Sequence, residues 1–110
     1  MTEKLLVVLT TCESRANAEQ LAGLLVEQRL AACVSVGADV LSIYPWEGRV
    51  NTETEVPLMI KTCRERLDAL KMAFADHHPY DVPEMLVLPV TDGLDAYFRW
   101  ARDWLNPEPL

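Results

Sequence analysis

Residues 40–62 read VLSIYPWEGRVNTETEVPLMIKT, and this stretch decides the fold because it predicts a long β-hairpin in the middle of the chain. Val40–Trp46 alternates in the manner of a half-buried strand. Glu47–Gly48–Arg49 predicts the turn, and Thr52–Thr62 predicts the second strand. Pro57 lies inside that strand and has no N–H to donate, so we expect a bulge there or a stretch that runs past its neighbour.

The segments on either side of the hairpin predict two further strands, a third short strand separated from Val40 by a break at Gly37–Ala38–Asp39, and three helices. Lys4–Thr11 (KLLVVLTT) is a short apolar run, typical of a strand buried on both faces. Ser14 is a candidate helix cap, and Thr62-x-x-Glu65 has the pattern of a capping box. The other predicted elements are a helix Arg15–Arg29, a short strand Ala32–Val36, a helix ending at His77–His78–Pro79, a strand Met85–Val90 and a helix Leu94–Leu105.

This order predicts an α+β fold of the ferredoxin-like type, β-α-β-β-α-β with an extra C-terminal helix and a four-stranded antiparallel sheet. A chain of 110 residues has the length of one domain, residues 1–110. Two helices would cover one face of the sheet. The strands carry enough apolar and aromatic residues to predict that another body covers the second face.

The last predicted helix gives a second indication of association. Around the helix axis, the apolar residues of Leu94–Leu105 span an arc of about 160°, whereas the apolar stripe of a surface helix needs about 100°. We expect the side that carries Trp100 and Trp104 to face another subunit. The alternative is a monomer with exposed tryptophans.

The charge of the chain excludes several partners. With 10 Lys+Arg against 17 Asp+Glu, the net charge is −7, whereas nucleic acids and anionic membrane surfaces attract basic proteins. No apolar run is long enough to span a bilayer. The three widely spaced cysteines predict neither a disulfide scaffold nor a CxxC-type zinc site. We therefore expect a cytoplasmic protein with no nucleic-acid or membrane partner.

Two adjacent histidines are candidate metal ligands, since imidazole is a common ligand of late divalent metals. His77 and His78 are neighbours and would point about 100° apart on a helix, so both reach one metal only beyond the helix end. The alternative is a helix C-terminus, where imidazolium interacts favourably with the helix dipole. Among the thiols, Cys33 is expected in the core, and Cys63 lies beside two arginines in a setting that lowers a thiol pKa. Cys12 follows the first strand and is expected to be the accessible thiol.

A pocket for a small ligand is a further hypothesis. Tyr44 and Trp46 are two residues apart on a strand and share one face. Tyr80, Asp81 and Glu84 lie in a loop stiffened by prolines, and Lys61 lies near the end of a neighbouring strand. Such a pocket would have apolar walls, one cation and some carboxylates, which is typical of small-ligand sites. The alternative is that the aromatic residues pack at an interface. GxGxxG, P-loop, HExxH and GxSxG motifs are absent from the sequence, so no familiar enzyme class is indicated.

Four stretches occur together in the order Leu30–Val34 (LAACV), Ser42–Gly48 (SIYPWEG), Glu55 followed by Lys61–Thr62, and His78–Glu84 (HPYDVPE). In this order they closely resemble the CutA family, the divalent-cation tolerance proteins. The resemblance runs from the first strand through Trp100. It implies a ferredoxin-like subunit in a tight homotrimer, a role in tolerance of divalent metals, notably copper, and no enzymatic activity. It also implies a likeness to the PII signalling proteins, trimers that bind small ligands between subunits.

The resemblance also implies site residues. Family members with a proposed copper site use a histidine pair, which matches His77 and His78, and a cysteine at the end of the first strand. That position is Thr10 here, and the nearest thiol is Cys12. The implied metal ligands are therefore His77, His78 and Cys12, with copper or another divalent cation as the cofactor. The expected ligand cleft between subunits comprises Tyr44, Trp46, Lys61, Tyr80, Glu84 and Trp100.

These residues support a leading hypothesis and two alternatives. The leading one is a cytoplasmic, homotrimeric, non-catalytic protein that binds a divalent metal or a small ligand at clefts between subunits. The first alternative is a PII-like signalling module that binds a small organic anion, with metal binding incidental. The second is a structural hub that binds no ligand.

Overall fold

The computed structural model describes residues 5–106. Its elements are β1 (Leu6–Cys12), α1 (Arg15–Glu27), β2 (Cys33–Val36), β3 (Val40–Trp46), β4 (Arg49–Thr62), a 3-10 turn (Arg64–Arg66), α2 (Leu67–His77), β5 (Leu86–Pro89) and α3 (Asp95–Leu105). The predicted α+β class and order of elements are confirmed. Lys4, the predicted start of the first strand, lies outside the described residues.

The strands form one antiparallel sheet in the order β2-β4-β1-β5, with β3 also paired to β4. The predicted break at residues 37–39 divides one of the four predicted strands into β2 and β3, so the sheet has five strands. β2 pairs with β4 as far as Val36 opposite Leu58, and β3 begins with Val40 opposite Glu55. Pro57 lies at this change of neighbour, so its missing N–H coincides with the interruption.

The β3–β4 hairpin is longer than predicted because β4 begins at Arg49 and not at Thr52. Its turn is made by Glu47 and Gly48, whose φ angles of 50° and 77° are both positive. A two-residue turn of this kind matches the right-handed twist of the strands that it joins. The hairpin contributes to an elongated subunit with extents of 51 × 26 × 23 Å.

One face of the sheet is covered by α1 and α2, as predicted. Alternate residues of β1 and β4 point toward these helices. Between these strand residues the helices bury Leu21 and Leu25 of α1 and Leu70 and Phe74 of α2. The strand members of this core include Val8, Cys12, Val56, Leu58 and Ile60. Replacing a fully buried leucine in such a core with alanine costs about 2–5 kcal/mol.

The start of α2 differs from the predicted capping box. The Thr62 hydroxyl donates to the Leu30 carbonyl at 2.8 Å, and therefore does not cap the helix. The chain enters α2 through the 3-10 turn that follows Cys63. The predicted end is correct, because α2 stops at His77 and His78 is already extended before Pro79.

The last helix, α3, packs against its own subunit more fully than expected. Phe98, Ala101 and Leu105 are buried in a second core cluster with Leu5, Ala32 and Cys63. Trp104, which was predicted to face another subunit, makes contacts within its own subunit and is half-buried there. Its indole Nε1 donates to the Val26 carbonyl at 2.9 Å, and the Arg29 guanidinium lies 3.7 Å from the ring centroid. Trp100 and Tyr97 remain exposed.

The second face of the sheet is uncovered over much of its area in this subunit. Residues paired directly across antiparallel strands share a face, so the register defines what this face carries. It is mainly apolar, with one ammonium group, and we call it the open sheet face. Its members are Val7, Leu9, Cys33, Ser35, Met59, Lys61, Leu86 and Leu88. Within residues 5–106, none of the helices has the length and hydropathy needed to cross a membrane.

Candidate functional site

A groove of about 650 Å³ lies between the β3–β4 hairpin and the loop that joins α2 to β5. Its lining comprises Thr11, Ser42, Ile43, Tyr44, Trp46, Glu55, Pro79, Tyr80, Asp81, Val82 and Glu84. Ser42, Tyr44 and Trp46 alternate along β3 and therefore share one face of the strand. Glu55 is the buried member, with 8% of its surface exposed. The groove thus combines one buried carboxylate with aromatic and acidic residues nearer the surface.

The loop side of the groove is anchored by His78. β5 pairs only with Leu6–Leu9, so the last residues of β1 have no β5 neighbour. The Tyr80 backbone N–H donates to His78 Nδ1 at 3.1 Å, and His78 Nε2 lies 3.1 Å from Thr10 Oγ1. Since Nδ1 accepts, the neutral ring carries its proton on Nε2 and donates it to Thr10. Both ring nitrogens are therefore engaged within the subunit.

The environment of His78 favours this neutral form. The ring is buried between Phe74 and Tyr80, with centroid distances of 5.3 and 5.2 Å. Burial lowers the pKa of His78, and a hydrogen bond with the Thr11 backbone and the charge of Glu55 only partly oppose it. His78 accordingly positions the loop without carrying a charge at neutral pH.

Glu55 is held by hydroxyl groups from three parts of the chain. Its Oε2 accepts from Thr11 Oγ1 at 3.0 Å and from the Tyr80 hydroxyl at 2.7 Å, and its carboxylate also accepts from Ser42. Burial alone would raise the pKa of Glu55, but these hydrogen bonds, with a smaller contribution from His78, lower it below its ordinary value. The carboxylate is therefore ionised at neutral pH.

The negative charge of Glu55 acts on its neighbours. Burial and then Glu55 raise the pKa of Glu84, and burial together with the hydrogen bond to Glu55 raises the pKa of the Tyr80 hydroxyl. The pKa of Tyr44 is also raised, by burial and by the charges of Glu53 and Glu55. The groove is thus a region of negative potential.

The structure brings together four of the six residues predicted for a ligand cleft. Tyr44, Trp46, Tyr80 and Glu84 all line the groove. Lys61 lies on the open sheet face, where its Nζ is 3.4 Å from Ser35 Oγ and 3.9 Å from Cys33 Sγ. Trp100 lies on α3 against Tyr97, with ring centroids 5.6 Å apart. A ligand-binding role for these six residues stays a prediction.

Three further residues of the groove were not assigned to a site from the sequence. Ser42 and Thr11 received no role, and Glu55 was noted only as part of the family resemblance. A signal was available for Ser42, because it lies two residues before Tyr44 on the same strand face. Glu55 is placed by the register of β4 against both β1 and β3, which the sequence does not specify.

The predicted metal ligands are not grouped in the subunit. His77 is exposed on the last turn of α2 and lines a smaller groove of about 210 Å³ with Asn17, Gln20 and Asp76. His78 is buried. The expectation that Cys12 is accessible is wrong, because its side chain points into the core and is fully buried. Burial, followed by the charges of Glu13 and Glu55, raises the pKa of Cys12 from 9.0 to about 11.

These positions do not fit a metal ion bound by His77, His78 and Cys12 within one subunit. Cys12 is a protonated, enclosed thiol, whereas the thiolate is the form that binds metals. Among residues 5–106, no three His, Cys, Asp or Glu side chains are grouped to hold a metal ion. The remaining thiols also differ from expectation, because Cys33 is only half-buried, beside Lys61, and Cys63 is fully buried.

Comparison with known proteins supplies the family context. Residues 6–104 match the family model described as CutA1 divalent ion tolerance protein. The chloroplastic protein CutA of Arabidopsis thaliana is 39% identical over 98 residues, which are 89% of this chain and 54% of that protein. The divalent-cation tolerance protein CutA of Yersinia pestis is 42% identical over 97 residues, 88% of this chain and 82% of that protein. The chain thus spans about half of the Arabidopsis relative and most of the Yersinia one.

Solved structures show the same fold. CutA1 from Oryza sativa superposes with a TM-score of 0.91 at 36% identity, covering 97% of this chain and 98% of that one. The divalent cation tolerance protein of Thermus thermophilus gives a TM-score of 0.87 at 40% identity, over 90% and 96% of the two chains. A protein of Archaeoglobus fulgidus described as periplasmic gives 0.89 at 27% identity, over 93% and 99%.

Proposed function

We propose that this chain acts in the tolerance of divalent cations, copper among them, because it belongs to the family of CutA1 divalent ion tolerance proteins. The observation that carries this proposal is the family match over residues 6–104. The Yersinia and Thermus proteins named above are described as divalent-cation tolerance proteins. The proposal extends their described role to this chain.

The proposed working unit is a homotrimer of this chain. The open sheet face supports it, because apolar side chains such as Met59, Leu86 and Leu88 are exposed in the single subunit and apolar faces of this kind are normally covered. The hairpin adds Leu41, Ile43 and Val50, which are 66%, 66% and 77% exposed. Another copy of the chain would bury these residues and border the groove.

The proposed role of the groove is binding rather than catalysis. A general acid or base needs a pKa near the working pH. The hydroxyl groups around Glu55 instead lower the pKa of its carboxyl group, so it stays ionised and does not exchange a proton at neutral pH. A fixed carboxylate of this kind suits the recognition of a ligand.

Copper remains the proposed cation, and His77 is its accessible candidate ligand. His77 is exposed beside Asp76, whereas binding through His78 would break its contacts with Thr10 and Tyr80. Binding through Cys12 would require its thiol to leave the core. Copper binding by this chain would therefore require either rearrangement or ligands from another copy.

A second candidate function, PII-like binding of a small organic anion, is favoured by Lys61. The partners that the structure describes for its ammonium group are the neutral side chains of Ser35 and Cys33. An anion that reached the open sheet face could therefore pair with this charge. In this case the ligand would bind outside the groove of a single subunit.

The proposed location is the cytoplasm. Cys12, Cys33 and Cys63 are free thiols, which supports a reducing compartment. The relatives described as chloroplastic and periplasmic indicate that members of the family occupy different compartments.

Native mass spectrometry and a growth assay test the proposed function. The freshly purified full chain is expected at three times the subunit mass, and a monomer would overturn the trimer. The chain is then expressed in cells that lack their own CutA, which are grown at increasing copper concentrations. We expect growth at copper concentrations that stop the parent cells, and no improvement would contradict the role in tolerance.

A further inference from the structure

The groove holds negative charge that no cationic side chain offsets among the described residues of its lining. Glu55, Asp81 and Glu84 belong to its lining, which includes no lysine, arginine or histidine. Two ion pairs of the described residues, Arg15–Asp39 and Arg102–Glu65, lie outside the groove. The hydroxyl groups around Glu55 satisfy its hydrogen bonds, but they bring no compensating charge. A ligand that fills this groove without a positive charge would leave a desolvated carboxylate unpaired, which is costly.

Aromatic side chains form the other part of the lining. Tyr44 and Trp46 lie on the same face of β3, about 7 Å apart along the strand, and Tyr80 lines the groove from the loop. Trp46 is half exposed, so its ring is available to a ligand. Aromatic rings attract cations through their electron-rich faces, and tryptophan does so most strongly.

We infer that the groove binds a small organic cation, an alkylammonium ion whose methyl or methylene groups contact Tyr44 and Trp46 while its charge faces Glu55. The inference rests on the proposed function in that it names the class of small ligand for the same groove. A volume of about 650 Å³ is suited to a small organic molecule. The pKa values of Glu84 and Tyr44 are raised first by burial and then by neighbouring carboxylates, and the second cause agrees with the negative potential that such a cation would meet.

The same features disfavour the other ligand classes. An organic anion would approach three carboxylates, and Lys61, the cation expected to receive it, lies outside the groove. A bare divalent cation requires several oxygen ligands arranged around it. Oε2 of Glu55 already accepts two hydrogen bonds, and no metal-binding group occurs within residues 5–106.

Three probes of the same shape and different charge test the inference. Choline is the cation, 3,3-dimethylbutan-1-ol its neutral isostere and 3,3-dimethylbutanoate the matching anion. Each is titrated into the full chain in amine-free phosphate buffer, with binding followed by calorimetry and by the NMR signal of the Trp46 indole. We expect choline to bind and the affinity of the neutral isostere to be lower by about tenfold or more. The anion should not compete with choline for the groove.

Variants locate the binding. Glu55→Gln and Trp46→Leu are each expected to weaken choline binding by about tenfold. Glu19→Gln, on the exposed surface of α1, makes the same change of net charge and should leave the affinity unchanged. If Glu55→Gln proves unfolded by circular dichroism, Asp81→Asn on the exposed loop replaces it and is expected to weaken choline binding in the same direction.

Three results would overturn the inference. Equal affinity for choline and its neutral isostere would remove the charge selection. Preferred binding of the carboxylate, lost in Lys61→Met, would assign the ligand to the PII-like alternative. Binding of none of the probes would contradict the inference directly. In each case the subunit mass and copper-dependent growth are measured separately, so a failure here leaves the proposed function to its own tests.

Discussion

The Tyr80 hydroxyl donates a 2.7 Å hydrogen bond to Oε2 of Glu55 and thereby joins the loop after α2 to the β3–β4 hairpin. The two residues are 25 positions apart in the sequence, and each is also tied to β1. Glu55 accepts from Thr11, and the Tyr80 backbone donates to His78, which contacts Thr10. Both sides of the groove are thus fixed to the end of one central strand.

Tyr80→Phe tests this bond. The variant removes the hydroxyl from a hydrogen bond to a charged acceptor, so we expect the free energy of unfolding to fall by about 1.5–3 kcal/mol. The pKa of the Glu55 carboxyl group should rise toward its ordinary value. Chemical denaturation and carboxyl-detected NMR measure the two effects. Tyr97→Phe, on the exposed side of α3, is the matched control, and an equal loss of stability there would contradict the assignment.

The dependence of stability on pH follows from Glu55. Its pKa is lowered in the folded state from an ordinary value of 4.5. The stabilisation by the ionised carboxylate is therefore complete above pH 4.5 and is lost as the pH falls through the lowered folded value. We expect the difference in free energy of unfolding between the parent chain and Glu55→Gln to be largest at neutral pH and to shrink in acid. A difference that does not change with pH would contradict this.

The histidine pair should separate into one structural and one surface residue. His78→Ala leaves the buried Thr10 hydroxyl and the Tyr80 N–H without a partner, so we expect a loss of about 2–4 kcal/mol in unfolding free energy. His77→Ala changes an exposed side chain and should stay within about 0.5 kcal/mol of the parent. Urea denaturation measures both. Similar losses for the two variants would show that the ring contacts of His78 carry little stability.

Cys12 should be dispensable for copper binding. Its thiol is enclosed in the core, with a pKa raised to about 11, so Cys12→Ala is expected to leave the copper affinity of the full chain unchanged. A thiol reagent should also leave Cys12 unmodified until the protein is denatured. Copper titration with mass-spectrometric mapping of the modified cysteines makes both measurements. Loss of copper affinity in Cys12→Ala would restore the predicted ligand set.

The hairpin turn predicts opposite effects at two glycines. Gly48 has a φ of 77° in the turn, so Gly48→Ala should destabilise the chain by about 1 kcal/mol or more. Gly23 lies in α1 and an added Cβ would meet nothing within 4 Å, so Gly23→Ala should stabilise it by about 0.5–1 kcal/mol. Thermal and urea unfolding compare the two. A change of the same sign at both positions would contradict the turn geometry.

Local patterns predicted much of the fold. Val40–Trp46 was predicted to the residue because its alternation is regular, and α2 ends at His77 because Pro79 follows. The start of β4 was missed because the three residues from Arg49 are held mainly by pairing with β3, which local composition does not reveal. The contact of Trp104 with Arg29 within the subunit was not predicted because the two residues are far apart in the sequence.

The site was less predictable for the same reason. Glu55 belongs to the run TETE, which resembles a solvated strand face, and only the register beside Thr11 and Ser42 makes it a buried carboxylate. Cys12 was expected to follow the first strand. It is in fact the last residue of β1, and the alternation of side chains turns it into the core.

The exposed hairpin affects how the stability of this protein depends on its concentration. Leu41, Ile43 and Val50 project from an arm with no covering layer of its own, and β3 is joined to the sheet through β4 alone. If assembly covers this arm, ordering the arm and associating the subunits become a single equilibrium. The unfolding midpoint would then rise with protein concentration, by mass action. The free energy of unfolding of this chain would therefore be defined only at a stated protein concentration.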